Sequence, residues 1–133
     1  MTFNQLSIFI ENQSGTLIKV LDILKEAQIQ IIASTVADTA DYGIYRLICS
    51  DPDKAYSELK KGGISVARSE VIAIELDDTP GQAADALKAF SDAGISIDYM
   101  YSFLLEGKGI LIMRTDDNAK ASSILDVSSP EVF

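Results

Sequence analysis

Residues Gly81 to Ile97 read GQAADALKAFSDAGISI, and residues Gly15 to Ile31 read GTLIKVLDILKEAQIQI. Laid over each other without a gap, Gly15 meets Gly81, Leu21 meets Leu87, Ala27 meets Ala93, Ile29 meets Ile95 and Ile31 meets Ile97. The same offset of 66 residues continues downstream, with Gly43 on Gly109, Ile44 on Ile110, Asp51 on Asp117, Lys54 on Lys120, Ala55 on Ala121 and Leu59 on Leu125. One register that aligns turn glycines and helix faces together marks a duplicated unit, and a duplicated unit organises the whole chain.

Each copy reads the same way. In the first, Leu6, Ile8 and Ile10 alternate with Gln5, Ser7 and, imperfectly, Phe9, which predicts a strand. Leu17, Val20, Leu21, Leu24 and Ala27 recur at helical spacing, with charged residues between them. A second strand is expected from Ile29 to Ala37, a turn over Asp38 to Gly43, and a third strand over Ile44 to Cys49 whose apolar run suits burial on both faces. Asp51 and Pro52 open a short helix with Ala55, Tyr56 and Leu59, which Gly62 and Gly63 stop. Ile64 to Arg68 complete a βαββαβ order, the ferredoxin-like split βαβ unit.

The second copy repeats it. Val71 to Leu76 predict a strand, and Ala83, Ala86, Leu87, Phe90 and Ala93 a helix ending at Gly94. Ile95, Ile97, Tyr99, Tyr101, Phe103 and Leu105 alternate as one strand face, and Lys108 and Gly109 turn into a strand over Ile110 to Met113. A helix over Asn118 to Leu125 follows, after which the last strand is short or missing. The expectation is an α+β chain of two ferredoxin-like repeats, 1–70 and 71–133, with antiparallel sheets and helices on one face.

Composition narrows function by exclusion. The chain is 47% hydrophobic, enough for a core, and its formal net charge is −9. Its three arginines (Arg46, Arg68 and Arg114) supply no clustered positive surface, which speaks against nucleic acid and anionic membrane. Histidine is absent, which removes the commonest general base and metal ligand. The single Cys49 lies in the apolar run IYRLICS, so no disulfide framework or thiolate metal site is expected within one chain. Neither catalytic residues, metal nor cofactor are read here. The N-terminus MTFNQLSIFIENQ lacks the pattern of a signal peptide and no segment reaches membrane-spanning length, so a cytoplasmic location is expected.

Chemistry concentrates at the two turns between the first strand and first helix of each copy, Asn12-Gln13-Ser14-Gly15-Thr16 and Asp78-Thr79-Pro80-Gly81-Gln82. Thr79 and Gln82 have capping-box spacing, with Pro80 at the first helical position. Glycine weakens a helix, so its recurrence at both helix starts calls for a reason. One reason is close approach of a carboxylate to the unpaired N–H groups of the first turn. The other is a tight turn with no ligand.

A βαββαβ unit with an N-x-x-G or D-x-P-G turn and a G-I-x-I strand start, here Gly94-Ile95-Ser96-Ile97, resembles the ACT family over both copies. That resemblance implies a regulatory module that binds a small amino acid or related carboxylate between paired domains. It carries ligand contacts onto Asn12, Gln13, Ser14, Gly15 and Thr16 with Gln30, and onto Asp78, Thr79, Pro80, Gly81 and Gln82 with Ser96. Asp98 is either a partner for a ligand ammonium or part of a solvated strand face. Two departures stand in the first copy, Ser14 for the usual proline and Gln28 for the glycine before the second strand. The second copy keeps Pro80 and Gly94 and so fits the motif better. Unpaired strand edges lead us to expect a homodimer. The alternative to ligand sensing is a structural, partner-binding subunit of a metabolic enzyme with no ligand of its own.

Overall fold

The structure, a computed structural model, describes residues 2–11, 15–38, 42–76 and 80–128. Its elements run β1 (Thr2–Glu11), α1 (Thr16–Glu26), β2 (Ile31–Asp38), β3 (Tyr42–Cys49), α2 (Pro52–Lys61), β4 (Val66–Leu76), α3 (Gln82–Asp92), β5 (Ile97–Leu105), β6 (Lys108–Thr115) and α4 (Asn118–Ser128). This is the α+β order expected of a tandem βαββαβ chain. The chain divides into two compact units, Asn4–Ser69 and Glu70–Phe133, the latter joined by Met1–Phe3.

In the unit from Asn4, β3 lies between β2 and β1, antiparallel to both. Leu6, Ile8 and Ile10 face the same side as Tyr45 and Leu47, because Leu6 pairs with Leu47 and Ile8 with Tyr45. Val20 and Leu24 of α1 and Ala55 and Leu59 of α2 close over that side as one buried cluster. The helical spacing fixes which residues those are. The Asp51 carboxylate accepts the Lys54 N–H at 3.1 Å and Pro52 occupies the first turn, so α2 starts where the sequence reading placed it. The start of β4 flanks β1, and the Phe9 N–H donates to Ser65 O at 3.0 Å.

The unit from Glu70 repeats this plan. Ile72 pairs with Met113 and Ile74 with Leu111, 66 residues on from the Leu6–Leu47 and Ile8–Tyr45 pairs. Ala86 and Phe90 of α3 and Ala121 and Leu125 of α4 cover those strands. The Asp117 carboxylate accepts the Lys120 N–H at 3.0 Å, the counterpart of the α2 cap. Consecutive burial from Val71 to Ile74 and from Ile110 to Met113 shows that both faces of β4 and β6 are covered.

Four details differ from expectation. Ile64 to Arg68 and Val71 to Leu76 do not form two strands: β4 runs unbroken from Val66 to Leu76. The β5–β6 hairpin turns at Glu106 and Gly107 rather than Lys108 and Gly109, with φ of 52° and 79°, the paired positive values of a type I′ turn. Pro80 does not open α3, because Gly81 is its N-cap and Pro80 precedes the cap. Finally, the alternation through β5 breaks at a register shift between Ile97 and Tyr99. Ile97 packs with the helix-covered cluster, whereas Tyr101 and Phe103 pair with Ile112 and Ile110 on the opposite face. The last strand of the second copy, expected to be short or missing, would fall at residues 129–133, which lie outside the described residues. Among the described residues, no helix is long and apolar enough to cross a membrane.

Candidate functional site

Gly15 is the N-cap of α1 with φ +98°, and Gly81 is the N-cap of α3 with φ +89°. Side chains rarely adopt this left-handed conformation, so backbone geometry alone requires glycine at both places. Among the described residues, an added Cβ would meet nothing within 4 Å at either glycine, so none of them forces the choice. Glycine offers no side chain to cap the helix, and neither helix receives a side-chain cap from its N-cap residue. The Gly15 carbonyl accepts the Lys19 N–H at 3.0 Å, and Gly81 accepts that of Asp85 at 3.0 Å. The preceding first-turn N–H groups have no such intrahelical acceptor.

Beside Gly15 lies a cavity of about 440 Å³, lined by Phe9, Glu11, Gly15, Thr16, Lys19, Gly63, Ile64 and Ser65. That volume is within the range of small-molecule sites, which run from about 300 to 1,000 Å³. Its walls come from the end of β1, the first turn of α1 and the link from α2 to β4. The Phe9–Ser65 backbone bond joins two of those walls. Phe9, which is 43% exposed, is the aromatic residue of its lining. Glu11 and Lys19 add one charge of each sign. The site therefore combines backbone donors, a cation, a carboxylate and an apolar surface.

Of the residues proposed from sequence, Gly15 and Thr16 line this cavity. Asn12, Gln13 and Ser14, and likewise Asp78 and Thr79, lie outside the described residues. Pro80 and Gly81 are exposed at the start of α3, and Gln82 is its first residue. Gln30 is not brought to Gly15 within its unit. The 11-residue helix α1 separates them, about 16 Å at the usual rise per residue. The Gln30 N–H donates to the Ser50 hydroxyl at 3.0 Å and its carbonyl accepts the Ser50 N–H at 3.0 Å. Ser96 stands likewise at the far end of α3 from Gly81. Its N–H donates to the Asp116 carboxylate at 3.0 Å, and its carbonyl accepts the Asp116 N–H at 3.1 Å. Asp98 is exposed on β5.

Phe9, Glu11, Lys19 and the Gly63–Ser65 segment were missed by motif reading. Phe9 had a visible signal, as the apolar residue that breaks the alternation of β1. Gly63–Ser65 had none, because only the pairing of β1 with the approach to β4 brings them there.

A βαββαβ-like order repeated in tandem, with a left-handed glycine at the start of the first helix of each unit, is the pattern of an ACT domain pair. The chain matches the family model described as ACT domain pair over residues 1–129, and it belongs to that family. It is similar to protein BT0572 from Bacteroides thetaiotaomicron, at 37% identity and a TM-score of 0.94, covering 100% of this chain and 92% of that one. The regulatory subunit of aspartate kinase from Thermus thermophilus, in a ligand-free form, has 16% identity and a TM-score of 0.66, over 96% of this chain and 93% of its own. The corresponding Thermus flavus subunit has 19% identity and a TM-score of 0.62, over 92% and 88%. At those identities the likeness is one of fold. No curated protein matches the chain.

Proposed function

We propose that this protein is a non-catalytic regulatory sensor that binds a small amino acid or related carboxylate. The observation that carries the reading is the cavity beside Gly15, where first-turn N–H groups of α1 lie next to Lys19, Glu11 and Phe9. Backbone donors at a helix start, with their partial positive charge, suit a ligand carboxylate. Membership of the ACT domain pair family and fold likeness to regulatory subunits of aspartate kinase support the regulatory role. Gln30 and Ser96, remote from the turns of their own units, complete such a site from a second copy in a cytoplasmic homodimer. The regulated partner is then a metabolic enzyme.

The reading is tested by thermal-shift measurement against the twenty standard amino acids, followed by calorimetric titration. Selective stabilisation by one amino acid or a related few is expected, because a ligand that binds the native state raises its melting temperature. No selective response from any would overturn it. A second reading, a structural subunit whose role is only to bind its partner, has its own support. Val36 on β2 and Leu104 on β5 are 50% and 79% exposed.

A further inference from the structure

We infer that the outer edge of β5 takes an extended segment of a partner protein, with about seven uncharged, largely apolar residues between a lysine or arginine at each end. The inference goes beyond amino-acid sensing and stands without it. β5 is the last strand of the sheet order, with β6 on one side and, among the described residues, no strand on the other. An open edge offers backbone donors and acceptors to another chain, and proteins ordinarily guard it with charge, proline or a bulge. Here the guards stand only at the ends. The register shift between Ile97 and Tyr99 puts Asp98 at the irregularity, and Glu106 begins the turn after Leu105. From Tyr99 to Leu105 the register is unbroken and no side chain is charged. Met100 and Leu104, on the face paired with Met113 and Gly109, are 49% and 79% exposed.

The duplication shows that the fold itself does not require this edge. Tyr99, Tyr101 and Phe103 correspond to Ala33, Thr35 and Ala37 of β2, and Leu104 corresponds to Asp38. A strand position that carries a carboxylate in the first copy thus carries a largely exposed leucine in the second. A strand added beside β5 would gain main-chain hydrogen bonds, and its alternate side chains would meet apolar neighbours. Charge decides which strand. Residues 71–133 hold eleven acidic and four basic side chains, −7 of the chain's −9. Asp98 and Glu106 are both exposed, and at the usual strand rise they stand about 26 Å apart. A second copy laid antiparallel about Ser102 sets Asp98 opposite Glu106 at both ends, and like charges directly opposite are destabilising. A shift of one residue sets Asp98 against Leu104, or Glu106 against Met100. A segment with a cation at each end meets both carboxylates instead, and the acidic half attracts it.

The test selects a displayed library of random nine-residue peptides against the purified full chain. The strongest binder is then synthesised and titrated into labelled protein by amide-resolved NMR. Selected peptides should carry lysine or arginine at both ends of a largely apolar stretch and give saturable shifts at the amides of Tyr99 to Leu105. Changing both end cations to glutamine, or combining Asp98→Asn with Glu106→Gln in the chain, should weaken binding about fivefold or more. Leu104→Asp, which gives β5 the residue of β2 at that position, should weaken it about tenfold or more. Because Leu104 is exposed, the urea melt of that variant should match the parent chain. No selected peptide, selected peptides without the end cations, shifts confined to other residues, or unchanged affinity in the variants would overturn the inference. So would a concentration-dependent dimer in sedimentation that Leu104→Asp abolishes, which gives the edge to a second copy. The thermal-shift response to amino acids tests sensing separately, and none of these outcomes alters it.

Discussion

Gly15 and Gly81 are the residues on which the two readings of the turn divided, and their φ angles account for the glycine itself. A Cβ finds open space there but an unfavourable backbone, so Gly15→Ala and Gly81→Ala should each cost about 1–2 kcal/mol in urea melts. Gly15→Asn should cost less, since asparagine tolerates this region. The same logic runs in reverse at Gln28, which holds φ +58° where its counterpart Gly94 holds +76°. Gln28→Gly should therefore stabilise the first unit by about 1 kcal/mol. The departure at Gln28 was legible in the sequence, but not that it retains the left-handed turn. Composition records which residue is present, and φ follows from the hydrogen bonds of a helix end, here Ile29 N–H to Leu24 O at 3.0 Å. At Cys49, burial pushes the thiol above its ordinary range, so the folded chain holds the proton more tightly than the unfolded one. Stability should fall as pH rises past about 8.5, where the unfolded thiol ionises first. Cys49→Ala should lose that part of the alkaline decline in denaturant melts between about pH 8 and pH 10.

Among the elements, the helices were read most fully and the edge strands least. Apolar spacing specifies a helix face directly: of the residues that periodicity named, α1 buries Val20 and Leu24, α2 buries Ala55 and Leu59, and α3 buries Ala86 and Phe90. An alternating strand identifies its faces only while the register holds. In β5 the shift after Ile97 exchanges them, and β2 has the same irregularity between Ile31 and Ala33. A β-bulge leaves little trace in residue type. The duplication does show what an element requires. Lys54 donates to the carbonyl of Ala27 at 2.8 Å, and Lys120 donates to that of Ala93 at 2.8 Å, so each second helix caps the end of the first. Lys54→Met and Lys120→Met should each lower stability by about 1 kcal/mol or less, and the double variant by nearly the sum. The buried Leu24 has Phe90 as its counterpart. Phe90→Leu should cost less than Phe90→Ala, which should lose about 3–5 kcal/mol in the same melts.

For the whole molecule, the offset of 66 residues made the tandem fold readable, because both copies had to satisfy one pattern of turns and apolar faces. The candidate site was readable only in part. Its glycine belongs to a local motif, whereas Phe9, Lys19 and Gly63–Ser65 converge through pairing that no short stretch encodes. The strands also govern how the pair divides. Domain boundaries usually fall in exposed linkers. Here the division between Ser69 and Glu70 falls inside β4, and β1 likewise begins in one unit and continues in the other. A protease needs several residues of chain free of structure, and this boundary offers a hydrogen-bonded strand instead. Limited trypsin digestion should therefore spare the bond after Arg68, releasing no half-length fragments before the chain unfolds as a whole. A gene cut at this junction would encode two halves that each carry an interrupted strand, so either half expressed alone should be less stable than the intact chain.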